Sequence, residues 1–336
     1  MFYDSVVEIK FTKNVKNDFL EYITLNFPMR TIGVIGEGFS YTRELERKGN
    51  GVVFIDKSIP DEVAVIVTND NAININKAKI SNKPYVVLTD GVPTSAFSKY
   101  AVNGNRIDKY EYPKQVFIDM LSNPHKLQAE SGCLALEVLV ECIGIVGSTL
   151  ITARAKRARD RAFDLKNLLT AYDTPEQVVA TCATAIEYID GLTFRLFIDY
   201  VMSKERVGNL ARTRFYSAFS VLFLIRRFTN IDFCVILPYM DSLRARMLAQ
   251  SLGIPLPQGK AKSFDNADYL LSMVEELLPT EKELLELKKR FDFLTPSAPV
   301  ELNALINDYS LATECVDEDN LYTNLVKAGY FDALIE

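Results

Sequence analysis

The stretch from Asp61 to Asp119 constrains the fold more than any other, because it reads as consecutive units of strand, helix and strand. Val63 to Val67 is an apolar run of strand type, Thr68 to Asn71 a turn, and Ala72 to Ser81 a helix. Pro84 to Leu88 is a second apolar run. Thr89, Asp90 and Gly91 then open a long polar excursion that ends at a third run, Val116 to Ile118. Short apolar runs alternating with helices predict a parallel sheet buried on both faces. Ligands of such sheets sit beyond the carboxyl ends of the strands, so function is expected at the turns around Thr68 and Thr89.

The flanking sequence extends the pattern. Val6 to Phe11 alternates as an edge strand does, Lys16 to Phe27 fits an amphipathic helix ended by Pro28, and Thr31 to Ile35 is another strand. A glycine turn and a short charged helix follow. Gly36 and Gly38 invite a dinucleotide-fingerprint reading, but the third glycine is missing at the expected step, which favours an ordinary strand-to-helix turn. Gly51 to Ile55 is a further strand. Asp56, just after it, is placed to hold a ribose hydroxyl, although capping a helix is the commoner use of such an acid.

Beyond Asp119 the periodicity becomes helical, starting at Ser122 to Pro124. The sequence therefore predicts an N-terminal α/β domain with a parallel sheet over residues 1–120 and an all-α domain over residues 121–336. Within the latter, Ala129 to Ile145 is a central buried helix. The basic helix that follows carries Arg154, Lys156, Arg157, Arg159, Arg161 and Lys166 against Asp160 and Asp164, for which a solvated face outweighs a phosphate site. Glu281 to Arg290 is a charged amphipathic helix, and residues 316–334 read as a terminal helix pair.

Bulk properties exclude several classes of function. A chain of 336 residues with 48% hydrophobic and 24% charged residues is globular, and a net charge of -6 gives no global pull toward nucleic acid or an anionic membrane. The five cysteines form no CxxC pair, which favours reduced thiols and a cytoplasmic location. No apolar run approaches the roughly 20 residues of a membrane helix, and the N-terminus lacks a signal-peptide core.

Three passages carry a family resemblance. "TNDNAININKAKIS" (Thr68 to Ser81) is similar to the "GGGSxxDxAK" phosphate turn and helix of the dehydroquinate synthase and iron-dependent alcohol dehydrogenase superfamily. "SKYAVNGN" (Ser98 to Asn105) resembles the "GKTGVN" substrate loop of the synthases, and "YPKQVFIDMLSNPHKLQAESG" (Tyr112 to Gly132) resembles their "QPKAVLIDxxxLxxLPxxxxxSG" passage. The resemblance implies two domains with a cleft between them, homodimerisation, and one divalent metal held by a carboxylate and two histidines.

Residue by residue, the implied metal ligands are missing. In "SGCLALEVLVEC" the first ligand position falls on Leu134 or Ala135, with Val138 beside it; Glu137 substitutes only if the helix register moves. In "GNLARTRFYSAF" Arg212 and Tyr216 take the places of histidines. In "TNIDFCVILPYM" Thr229 or Asn230 replaces the third, and only Leu237 and Pro238 are retained. The chain's single histidine, His125, is expected on the surface. No metal is therefore expected. A guanidinium at Arg212 can attract an anion by paired hydrogen bonds, but it is not a strong Lewis acid.

The nicotinamide site is altered as well. Thr68, Asn69 and Asp70 stand where the family's glycines admit a pyrophosphate, leaving Asn69, Asp70, Asn71 and Asp56 as the cofactor-facing candidates and NAD(P) binding weak or absent. Lys99, Asn103 and Asn105 match the substrate loop, Thr89 lies at the neighbouring turn, and Lys77 matches the family's helix lysine.

Two readings follow. In the first, a metal-free homologue of sugar-phosphate cyclases and polyol dehydrogenases keeps a vestigial or anion-binding cleft for a regulatory, assembly or partner-binding role. In the alternative, a metal-independent lyase, cyclase or oxidoreductase acts on a sugar phosphate or polyol through Arg212, Lys99 and Glu137, so whether the chain is an enzyme stays open. Expected partners are a small anionic ligand and a second copy of the chain. Nucleic acid, by way of the basic helix, ranks last.

Overall fold

The structure, a computed structural model, describes residues 8–36, 41–97, 100–103, 106–148, 153–170, 172–186 and 276–290. Two compact units divide the chain, with the described residues up to Gln128 in the first and those from Ala129 onward in the second.

The first unit is built on a parallel sheet. Its strands are β1 (Glu8–Thr12), β2 (Thr31–Ile35), β3 (Gly51–Phe54), β4 (Val63–Asn69), β5 (Tyr85–Thr89) and, later in the chain, β8 (Gln115–Asp119). They lie in the order β1-β8-β5-β4-β2-β3, and every neighbouring pair is parallel. The runs that read as uninterrupted apolar in sequence are the central strands, with Val65, Ile66, Val86, Val87, Val116 and Ile118 fully buried. Strand β1, whose alternation marks an edge, pairs only with β8.

Helix α1 (Val15–Asn26) covers one part of the sheet. Asn14 caps it by accepting from the backbone N–H of Asn17, and its buried residues Phe19, Leu20 and Ile23 repeat at helical spacing. Phe19 and Tyr22 both meet Phe117 of β8 edge-on, with ring centroids 6.2 and 5.7 Å apart. Burying Phe19 and Phe117 contributes about 2 kcal/mol each, and Tyr22 is partly buried beside them. Helices α2 (Thr42–Arg47), α3 (Ala72–Ile80) and α4 (Thr94–Phe97) complete the connections.

The polar excursion after Thr89 is more ordered than its composition suggests. It contains α4 and an antiparallel hairpin, β6 (Tyr100–Asn103) with β7 (Arg106–Lys109), in which Asn103 faces Arg106. The Gly-Asn pair between those strands is the two-residue hairpin signal that the apolar pattern obscured.

Among the described residues the second unit has only helices, as the sequence predicts. α5 (Pro124–Ser148) begins after the Asn123 cap and supplies more buried apolar residues than any other described helix; α6 (Ala153–Thr170), α7 (Pro175–Ile186) and α8 (Glu281–Arg290) follow. α7 and α8 each start with a capping box. Thr174 and Gln177 exchange bonds at 3.3 and 2.8 Å, and Thr280 and Glu283 at 3.2 and 2.6 Å. Arg290 of α8 donates to the carbonyls of Leu169 and Thr170, while Arg159 and Lys166 of α6 reach Glu276. No helix among the described residues is long and apolar enough to cross a membrane. Helices placed at residues 316–334 lie outside the described residues.

Candidate functional site

The strand order sets the site's place. From β2 the chain moves outward to β3, whereas from β4 it moves the other way through β5 to β8, so the order reverses between β2 and β4. A parallel sheet opens a crevice beyond the carboxyl ends of the strands at such a reversal. Gly36 follows β2 there, while Asn69 ends β4 and Asp70 and Asn71 follow it.

Asparagine amides organise this crevice. Asn71 is the N-cap of α3, and its Oδ1 accepts from the backbone N–H groups of Ile73 at 3.0 Å and Asn74 at 3.3 Å. The next N–H, of Ile75, goes to Asn71 O at 2.8 Å. Asn69 Oδ1 accepts from Asn74 Nδ2 at 2.9 Å and from the Asn71 N–H at 3.3 Å. The Asn69 and Asn74 amides press against Gly36, which has φ +97°. A Cβ there would stand 2.6 Å from Asn74 Nδ2, so only glycine fits. Asn74 is the member of this cluster that the sequence pattern did not single out.

The other candidates surround it. Thr89, at the end of β5, is nearly buried, and its hydroxyl closes its own turn by accepting from the Gly91 N–H at 3.0 Å. Asp90 pairs with Lys126 at 2.5 Å. Asp119 ends β8 and takes the N–H groups of Leu121 and Ser122 on Oδ1. Asp56 caps no helix, contrary to the commoner use foreseen for it, because bends and a turn carry residues 56–62 directly into β4. Its backbone carbonyl, with that of Ile55 at 3.3 Å, accepts from Lys77 Nζ. Lys77 therefore ties α3 to the end of β3. Asn103 is exposed at the end of β6. Lys99 and Asn105 lie outside the described residues.

Sequence reasoning passed over Lys79, one turn beyond Ile75 on the same stripe of α3. With Ile75 and Ala78 it is buried, and its Nζ donates to Ser95 O of α4 at 2.7 Å. Burial lowers its pKa to about 7, with Asp70 pulling the other way. A lysine spaced at i+4 on an apolar stripe was the available signal.

In the second unit Glu137 lies on α5 and is buried, as are Leu134, Ala135 and Val138 around it. Arg212, Tyr216, Thr229, Asn230, Leu237 and Pro238 lie outside the described residues. Ser131, Tyr172 and Cys182 gather in this core: burial pushes the Tyr172 phenol well up and the Cys182 thiol up to about 12. Cys133, Cys142 and Cys182 are all buried and outside any disulfide. His125 is exposed in the first turn of α5.

No protein-family model matches the sequence, and no curated protein matches it by sequence. Solved structures do match by shape. An iron-containing alcohol dehydrogenase from Thermotoga maritima superposes with TM-score 0.50 at 11% identity, covering 90% of each chain. A glycerol dehydrogenase from Schizosaccharomyces pombe gives TM-score 0.47 at 14% identity, covering 86% of this chain and 94% of that one. An NADH-dependent butanol dehydrogenase A from Thermotoga maritima gives 0.49 at 10%, covering 92% and 89%. The chain has the fold of the iron-containing alcohol dehydrogenases, the fold of the superfamily that its motifs resemble.

Proposed function

We propose that the chain is a metal-independent relative of the polyol dehydrogenases and sugar-phosphate cyclases that binds a small anionic ligand, or has lost its ligand, and serves a regulatory, assembly or partner-binding role. The observation that carries this reading is the state of the α3 N-terminus. Where related sheets offer free backbone N–H groups to a pyrophosphate, the Ile73 and Asn74 N–H groups are already bonded to Asn71 Oδ1. The space beside Gly36 is filled by the Asn69 and Asn74 amides, and Asp70 adds negative charge to the same turn. These occupied donors and this added charge support a turn that disfavours a pyrophosphate.

The sequence at the metal positions supports the same reading. Leu134, Ala135, Val138, Arg212 and Asn230 offer no set of nitrogen and oxygen ligands for a divalent ion. In the family resemblance Arg212 stands at a metal-ligand position, where a guanidinium attracts an anion rather than a metal ion, and Lys99, Asn103 and Asn105 match the substrate loop of the synthases. Activity toward alcohols of the kind named for the structural relatives is expected to be absent.

Isothermal titration with NAD and NADP, together with metal analysis of the purified chain, tests the proposal. The expected outcome is no binding at micromolar cofactor and no stoichiometric metal. Micromolar affinity for either nucleotide, or one zinc or iron per chain, overturns it. In a screen of sugar phosphates, any ligand found is expected to lose at least tenfold in affinity on Arg212→Ala and on Lys99→Ala.

A further inference from the structure

The sheet of the first unit has two edges, and they are built differently. β1 exposes Glu8 and Lys10, charged side chains of the kind that discourage edge pairing. β3 reads Gly-Val-Val-Phe, with no charge and no proline, and its ladder to β2 is regular. Met29 and Phe54, 84% and 66% exposed, stand at its two ends. Met29 Cγ lies 3.9 Å from where a Cβ on Gly49 would be, just before the strand, and Phe54 is the last residue of the strand. Exposed apolar residues along an uncharged edge mark a contact surface.

The backbone defines which groups this edge offers. Ile55 N–H donates to Val34 O at 2.8 Å, so the alternate residues Val53 and Gly51 also turn their N–H and C=O groups toward β2. Val52 and Phe54 turn theirs outward. Among the described residues no strand and no turn bonds to those outward groups.

We propose that β3 is where a second copy of this chain adds, antiparallel and about a two-fold axis at Val53, so that two six-stranded sheets join into one. The register follows from the geometry. A two-fold axis perpendicular to the sheet pairs residues whose numbers sum to an even value, because directly opposed side chains share a face. Centred on Val53, it sets Val52 opposite the partner's Phe54 and Phe54 opposite the partner's Val52. Both outward residues of each copy are then satisfied, each pair exchanging two bonds. Centring on Val52 or Phe54 pairs only that residue with its own copy within the strand. The Val53 register also places a β-branched side chain beside an aromatic ring, a favourable cross-strand pair. Joining β3 to the partner's β1 instead would repeat without closing, and the charges of β1 oppose it. A strand of four residues is short for gripping an extended peptide, whereas a two-fold pair makes each contact twice. The pairing is independent of what the crevice binds.

Light scattering and disulfide trapping on the full chain test the pairing. At about 100 μM, above the micromolar dissociation constants of small interfaces, the wild type is expected to be a dimer and Phe54→Lys, changed at an exposed site, a monomer. In this register the two Val53 Cα atoms form a non-hydrogen-bonded pair about 4.5 Å apart, within reach of a disulfide, whereas the two Phe54 Cα atoms stand beyond the limit of roughly 7 Å. Val53→Cys is therefore expected to cross-link into a covalent dimer in a glutathione redox buffer more than the wild type does, and Phe54→Cys, although more exposed, is not. A monomeric wild type, a Phe54→Lys dimer, a folded Val53→Cys that stays uncoupled, or a Phe54→Cys that couples as readily each overturns the proposal. Should Val53→Cys fail to fold, the Phe54→Lys result decides, because that side chain is not part of the core.

Discussion

Asp18 shows how single residues tie the first unit together. Its carboxylate accepts from the Thr12 hydroxyl at the end of β1 and from Lys10 Nζ at 2.9 Å, and these bonds, that from Thr12 first, hold its pKa below the ordinary carboxylate value. Because the folded value is depressed, the stability it contributes is fully present above the unfolded value of about 3.9 and is lost as pH falls through the folded one. Asp18→Asn is expected to cost about 1 kcal/mol at pH 7, since it weakens two charge-assisted bonds at a partly exposed site. It should also flatten the acid limb of stability below pH 4. Urea unfolding at a series of pH values checks both; identical acid limbs in variant and wild type would rule the role out.

At the scale of elements, α3 ties fold to function. Its N-terminal N–H groups are satisfied from within by Asn71, so the cap that stabilises the helix also occupies the donors a phosphate would use. Asn71→Ala is expected to destabilise the chain by about 1 kcal/mol and to strengthen binding of inorganic phosphate measured by titration calorimetry. Unchanged phosphate affinity would show that Asp70 and the asparagine amides, not the cap, exclude the anion. The cap was legible in advance only in part. Asn71 stood out as a turn residue, but its bonding depends on where the strand stops, and β4 runs to Asn69, two residues past its apolar run. Elements whose apolar residues repeat cleanly, such as β2 and α8, matched in sequence and structure. The hairpin β6–β7 did not stand out, because its polar residues carry no period and its signal lay in a Gly-Asn pair.

For the molecule as a whole, fold was far more legible than site. The parallel sheet follows from apolar runs that survive any choice of ligand, whereas the site depends on which amides and charges meet across separate turns, as Asn74 and Gly36 do. Charge distribution gives a whole-molecule prediction of its own. The basic stripe of α6 is the one segment suggesting nucleic acid, and the structure shows where part of it goes: Arg159 pairs with Glu276 at 2.6 Å, and Lys166 donates to the Glu276 carbonyl. Asp160 and Asp164 share the exposed surface of the same helix. With a net charge of -6 behind it, this stripe has few unengaged cations with which to release counterions from a phosphate backbone. Fluorescence anisotropy with single- and double-stranded oligonucleotides at 50 mM salt is therefore expected to show no saturable binding below about 100 μM, the weak end of non-specific association. Tighter binding whose affinity falls steeply with added salt would mean that a basic surface elsewhere on the chain outweighs both the acidic balance and the pairing within α6.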